Sequence, residues 1–312
     1  MKKFILQIII FGTILLGLAF VADYVISRNH RKSSISPMLL VWNNIYSGKI
    51  QSDVIIMGNS RVFCQYNPQI LDSILGVNSY NLGINGRSIN SQIIVYNTYR
   101  RFNAKPKFII QNIDFNTMMI RKGFQREQFF PYFFDDSLRT AISEYEKYNV
   151  LEKYFPAYRY IGYNEFVQIG LGLMKGKIFN QVKGYLEHDK KWDGTKYNEV
   201  KELFYAQDSA MLVLFDKHLS KSYSENIKVI FVYAPLYIGA TKKIKNLEGM
   251  YAMYDSIAKK YSIPILDYTY DSLSYDTIYF YNANHLNKKG ATLFSIKLAR
   301  DIDSLGILKA NQ

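Results

Sequence analysis

Residues Ser52 to Pro68 read SDVIIMGNSRVFCQYNP. The apolar run within them, Val54 to Met57, stops abruptly at Gly58-Asn59-Ser60-Arg61. A short apolar run closed by such residues reads as a buried strand. Ser60 then falls just past the strand's end, where an open α/β sheet displays its chemistry. Serine is also an ordinary turn former and helix cap. Whether Ser60 is a nucleophile therefore depends on what the rest of the chain brings to the same edge.

Four further runs repeat the pattern: SYNLG at Ser79 to Gly83, KFIIQNID at Lys107 to Asp114, IKVIFVYAP at Ile227 to Pro235 and IPILDY at Ile263 to Tyr268. Helical patterns lie between and after them, at Gln69 to Leu75, Asn90 to Arg101, Glu199 to Ser222, Leu247 to Tyr261 and Asn287 to Ser304. Strands alternating with helices predict an α/β three-layer sandwich, a central parallel sheet with helices on both faces. Residues from about Met118 to Asn198 break the alternation, being aromatic and helical with no convincing strand. They read as an insertion after the third strand, leaving near the carboxyl edge of the sheet.

The chain has 312 residues and 48% hydrophobic content, ample for a buried core, so disorder is excluded as the default. Its formal charge of +13 suits anionic surfaces. The basic residues are scattered and form no nucleic-acid module, which favours an envelope setting over nucleic acid. The single cysteine, Cys64, excludes an internal disulfide and a cysteine-based zinc site, and reads as a small buried hydrophobe.

At the N-terminus, Phe4 to Ala22 carries no charge and is long enough to cross a bilayer core of about 30 Å at about 1.5 Å per residue. Gly17-Leu18-Ala19 offers a cleavage pattern, but the apolar run continues past it, so an uncleaved anchor is the expectation. Basic residues flank both ends, and a large domain translocates regardless of nearby charge, so the main domain is expected outside the cytoplasm on a single span. The domain plan is an anchor at 1–27, a linker at 28–51 with a small amphipathic helix, and an α/β domain at 52–312 with the insertion at about 118–198.

A second polar feature lies near the C-terminus in YFYNANHLNKKGATLF. Asn287 suits the cap of the following helix, which would hold His285 just before a helix start at the edge that carries Ser60. A neutral histidine there can accept a serine proton. Gly83 and Gly86 in YNLGINGRS suit backbone N–H groups facing a carbonyl oxygen, or turns that need positive φ. Asn112, Asp114 and Asn116 end the third strand and can each supply a side chain.

In this order the residues resemble the SGNH (GDSL-type) hydrolase superfamily. IIMGNSR matches its strand-Gly-Asp-Ser block, Gly83 its second-block glycine, and NANHLNKKG in part its C-terminal Asp-x-x-His block. The resemblance covers about Ser52 to Asp114 and Ile227 to Ser304. It implies a flavodoxin-like sheet order, Ser60 as nucleophile and His285 as base. It also implies an oxyanion hole of the Ser60 and Gly83 N–H groups with the Asn112 or Asn116 side chain. No metal or cofactor is implied. Asn59 replaces the first-block aspartate, as in the branch that resembles enzymes of cell-envelope polymers. The third block is degenerate, and Asn282 stands where the family has aspartate.

That last exchange is large in the serine-protease triad, about ten-thousandfold in kcat or roughly 5.5 kcal/mol of barrier. Asn282 is open to three readings: it orients His285 in a slow enzyme, another acid such as Asp276 or Asp267 approaches His285, or turnover is lost. The resemblance implies a membrane-anchored esterase or O-acyltransferase acting on an envelope glycan or its acyl ester, with a membrane acyl-donor protein as a further partner. The alternative is a weakly active or inactive glycan-binding or assembly factor. Arg61 and Arg87 are candidates for an anionic group. The insertion's rings read as core before sugar platform, with Trp192 and Tyr158 as the exposed exceptions.

Overall fold

The structure is a computed structural model and describes residues 1–85, 88–119, 125–179, 181–194 and 202–308. The helices are α1 (Lys2–His30), α2 (Pro37–Tyr46), α3 (Ser60–Gln65), α4 (Pro68–Leu75), α5 (Ile89–Phe102), α6 (Asp136–Ser143), α7 (Val150–Tyr154), α8 (Asn164–Gly170), α9 (Ser209–Ser224), α10 (Ile238–Thr241), α11 (Leu247–Tyr261) and α12 (Lys288–Ser304). The strands are β1 (Val54–Met57), β2 (Ser79–Asn81), β3 (Phe108–Asn112), β4 (Lys228–Tyr233), β5 (Ile265–Asp267), β6 (Phe280–Asn282) and β7 (His285–Leu286). The chain divides into two compact units, Met1–Asn43 with Lys122–Asn180, and Asn44–Arg121 with Gln181–Gln312.

The second unit holds a five-stranded parallel sheet in the order β2-β1-β3-β4-β5. Its central strands are apolar on both faces because both faces are covered. Val54, Ile56, Phe108, Ile110, Ile230 and Val232 point to one side, where Leu71 of α4 and Phe294 and Leu298 of α12 close the core. On the other side Phe231 stacks against Phe215 of α9 and meets Tyr254 of α11 edge-on. This is the three-layer α/β sandwich that the alternation predicts, with the flavodoxin-like order that the resemblance implies. The chain leaves β1 for the edge strand β2 and returns across it to β3, so a crevice opens beyond the ends of β1 and β3, the place where such sheets bind ligands.

In the first unit part of the insertion's aromatic set forms a core, while Phe134, Tyr154 and Phe155 stay exposed. Phe129, Phe130, Tyr132, Phe133 and Tyr160 are all buried, and Phe130 meets Phe133 and Tyr160 edge-on. The end of α1 is docked into it. Asp23 accepts from the Arg159 guanidinium (2.6 Å) and from the Ala157 N–H (2.7 Å), and His30 stacks on Phe166 with ring centroids 3.5 Å apart. Residues 28–51, expected as a linker, hold the end of α1 and all of α2. α1 is long and apolar enough to cross a membrane by length and composition, a property that anchors share with signal sequences.

Candidate active site

Ser60 opens α3 directly after β1. Gly58 makes the turn possible, since a β-carbon there would lie 2.3 Å from Val62 Cγ2 and 3.0 Å from Asn112 Cβ. Asn59 caps the helix, its Oδ1 accepting from the Arg61 N–H at 2.9 Å. As a first-turn residue, Ser60 offers a backbone N–H with no intrahelical partner. A serine side chain and a free N–H are thus presented together at the sheet's carboxyl edge.

His285 arrives from a hairpin that sequence patterning does not reveal: β6 and β7 pair antiparallel, with Asn282 opposite His285. Asn287 anchors the entry to α12, donating to the carbonyls of Ile278 and Phe280 and accepting from the Gly290 N–H. The result places His285 Nε2 2.8 Å from Ser60 Oγ, and His285 Nδ1 2.9 Å from Asn282 Oδ1. Ser60, His285 and Asn282 are therefore brought into one hydrogen-bonded chain.

The network dictates the protonation pattern. Asn282 Oδ1 also accepts from the Asn284 N–H at 2.9 Å, so this end of the amide must be the oxygen. His285 Nδ1 facing that oxygen must carry the proton, which leaves the Nε2 lone pair for the Ser60 hydroxyl. Burial first, then the Arg61 guanidinium and the neighbouring His188 ring, lower the His285 pKa to about 3, so the ring is neutral around pH 7. Neither alternative acid is its hydrogen-bond partner: Asp276 caps the turn at Ile278 and Asp267 accepts from the Thr269 N–H.

Two further rings stack in line with His285. Tyr281 lies on His285 with centroids 5.2 Å apart and an interplanar angle of 12°, and His188 lies on Tyr281 at 4.4 Å. The segment bearing His188 is tied down by three backbone bonds, Leu186 N–H to Phe63 O, Lys288 N–H to His188 O and Trp192 N–H to Phe280 O. Tyr281 Oη meets Cys64 Sγ at 3.5 Å. Burial pushes the Cys64 thiol up to about 12, which makes it inert as a nucleophile. Sequence reasoning missed Tyr281 and His188 because a stack between distant residues has no spacing signature.

Of the donors the resemblance implies for an oxyanion hole, the Gly83 N–H is already committed within the fold. The Gly83 N–H donates to Asn81 Oδ1 at 2.8 Å and is not free. Glycine is needed there for a close approach, since a β-carbon would lie 2.5 Å from the Phe63 nitrogen. Asn112 is fully buried, accepting from the Tyr66 hydroxyl at 2.8 Å and donating to Asp114 at 3.3 Å. Asn116 is half-buried, and its Oδ1 is held by Asn59 Nδ2 at 2.7 Å, which turns its own amide N–H₂ away from Asn59, the residue adjoining Ser60. Of the two asparagines, Asn116 is the one whose amide donor has no partner among the described residues.

Arg61 is a correction. It is 4% exposed, its guanidinium lies 3.4 Å from the Asp114 carboxylate, and it donates to the carbonyls of Ala234 and Pro235. It ties α3 to the ends of β3 and β4, and its burial keeps it from the surface where a substrate anion would arrive. Asp114 gathers the same region, accepting from Asn59 Nδ2 at 2.8 Å and from the Asn116 N–H at 3.0 Å. Arg87 and Gly86 lie outside the described residues. Trp192 and Tyr158 are half-buried rather than exposed, Trp192 packing edge-on against Tyr237.

No family model and no curated protein matches this sequence. Among solved structures, similar chains include one provisionally described as a lipolytic protein of the G-D-S-L family from Desulfitobacterium hafniense. It is 14% identical, with a TM-score of 0.37, covering 80% of this chain and 99% of that one. An acylhydrolase, so described provisionally, from Bacteroides fragilis is 14% identical, with a TM-score of 0.38 and coverage of 81% and 86%. A third, from Streptococcus pneumonia and provisionally described as a platelet activating factor, is 11% identical, with a TM-score of 0.40 and coverage of 94% and 98%. Likenesses of this size carry no weight in assigning the site, which stands on its own geometry.

Proposed function

We propose that the protein is an SGNH-type serine esterase that works through an acyl-serine at Ser60. The observation that carries this reading is the 2.8 Å contact between Ser60 Oγ and His285 Nε2, with the tautomer set for proton acceptance. Ser60 Oγ attacks the acyl carbon while its proton passes to Nε2; the ester C–O bond then breaks as Nε2 returns that proton to the departing alkoxide. Water, or a carbohydrate hydroxyl in the acyltransferase version, then gives its proton to Nε2 as it attacks the acyl carbon, and the acyl–Oγ bond breaks as Nε2 returns that proton to Ser60 Oγ, releasing the acid or the new ester. In this reading the Ser60 N–H takes the developing oxyanion, with Asn116 as the candidate for a second donor.

The substrate we propose is an O-acyl ester of an envelope glycan, with the catalytic unit outside the cytoplasm and α1 retained as its anchor. The net charge of +13 and the apolar helix α1 support that setting. The experiment is hydrolysis of short-chain chromogenic esters and of acetylated polysaccharide by the full chain. Activity lost in both Ser60→Ala and His285→Ala is expected, and activity equal to wild type in either variant would remove the reading.

Asn282 favours a second reading, a glycan-binding or assembly factor with little turnover, because His285 gains no anionic partner to stabilise its charged form. Glycan binding that survives Ser60→Ala, with no ester cleaved by the wild-type chain, would select it.

A further inference from the structure

We infer that a groove beside α1, within the first unit, holds one phospholipid of the membrane that α1 crosses. This rests on the anchoring reading proposed above. The uncharged run from Phe4 to Ala22 spans about 28 Å at about 1.5 Å per residue, close to a hydrocarbon core of about 30 Å, so Asp23 falls at the bilayer interface. The packing changes at the same place: large apolar side chains from Phe4 to Tyr24 are exposed, whereas Ile26, Ser27 and His30 are buried.

At that level lies a groove of about 370 Å³, within the range of small-molecule sites. Phe20 and Tyr24 of α1 form one wall, and Phe134 and Tyr154 of the insertion form another. Phe134 is 65% exposed and Tyr154 67% exposed, an aromatic lining open to solvent that a membrane interface would cover. Because α1 supplies one wall, the groove is continuous with the surface that acyl chains cover.

The charge is suited to a phosphodiester. Of the two guanidinium groups that line the groove, Arg159 is paired with Asp23 at 2.6 Å. Arg31 donates to the carbonyl of Pro131 at 2.6 Å, lies over the Phe134 ring at 5.4 Å and pairs with no carboxylate among the described residues. One cation is thus left beside an apolar groove, complementary to a headgroup phosphate above its chains.

The test uses the full chain, delipidated in mild detergent and titrated with phosphatidylglycerol under native mass spectrometry. One retained lipid per chain is expected, with at least a tenfold weaker affinity in Arg31→Ala, recovery in Arg31→Lys, and no competition from inorganic phosphate. Equal lipid retention in Arg31→Ala and Phe134→Ala, displacement by phosphate alone, or a dimer that excludes lipid would each overturn the groove assignment. Alkaline extraction of membranes separates the two claims: a released chain removes the anchor, whereas a retained chain with no selective lipid removes the groove alone.

Discussion

Asn282 Oδ1 accepts the proton of His285 Nδ1 at 2.9 Å, and the Asn284 N–H that shares this oxygen fixes which end of the amide faces the ring. Compared with the aspartate of a serine-protease triad, Asn282 therefore keeps one of two jobs, selection of the tautomer, and loses the other, stabilisation of the imidazolium. In the serine-protease triad the same exchange also spoils the tautomer, so the deficit here should be smaller than about ten-thousandfold. Asn282→Asp is expected to raise kcat/KM about a hundredfold, roughly 2.7 kcal/mol of barrier. Steady-state ester kinetics measure it, and an unchanged or reduced rate would mean that charge at this position is not limiting.

His285 has a pKa lowered to about 3, first by burial and then by the Arg61 guanidinium and the neighbouring His188. A base loses function only when it takes up its proton, so acidification from pH 8 to pH 5 should leave it neutral and kcat/KM flat. An aspartate at 282 raises the pKa by favouring the charged form. The Asn282→Asp variant should therefore gain an acid limb at higher pH than wild type. A wild-type limb near the ordinary histidine value of about 6.5 would contradict this picture of the site.

Asn116 and Asn112 should separate cleanly. Asn116→Ala removes the uncommitted amide donor and should lower kcat by about a hundredfold or more, the scale of a lost oxyanion donor, with little change in Tm. Asn112→Ala leaves the Tyr66 hydroxyl and Asp114 short of buried partners, so its effect should appear as a lower Tm.

Tyr281 holds the plane of the His285 ring through a stacked contact. Tyr281→Ala should lower kcat about tenfold with KM little changed, since the reacting groups would keep their chemistry and lose their orientation. Tyr281→Phe keeps the ring and should retain most of the rate. An equal loss in both variants would instead point to the hydroxyl and its contact with Cys64.

Arg61 and Asp114 form a buried ion pair, with side chains 5% and 2% exposed. Removing one partner strands the other, so Arg61→Leu is expected to cost about 3–5 kcal/mol in denaturant unfolding. A cost below about 1 kcal/mol, the scale of a surface pair, would mean that the guanidinium is solvated.

The parts of this molecule that repeat were legible in its sequence. Val54–Met57 and Leu247–Tyr261 occupy the expected residues because a fully buried strand and a long amphipathic helix each leave a pattern. β6 and β7 leave none, being three and two residues long, so the hairpin that aims His285 was invisible although His285 itself stood out. Arg61 reads in the sequence as a candidate for a substrate anion because its carboxylate partner lies 53 residues away. Gly83 reads in the sequence as a backbone donor, whereas in the structure its missing β-carbon makes room for Phe63, a contact that spacing does not record. The division of the insertion at Gln181 depends on contacts between distant residues, which composition does not record.

Whether Ser60 is a nucleophile activated by His285 is decided by peptide mapping after reaction with a fluorophosphonate. A single adduct on Ser60 is expected in the wild-type chain, strongly reduced in His285→Ala and faster to form in Asn282→Asp. No adduct on Ser60, or one that forms equally fast without His285, would leave the hydrogen-bonded chain of Ser60, His285 and Asn282 without a catalytic role.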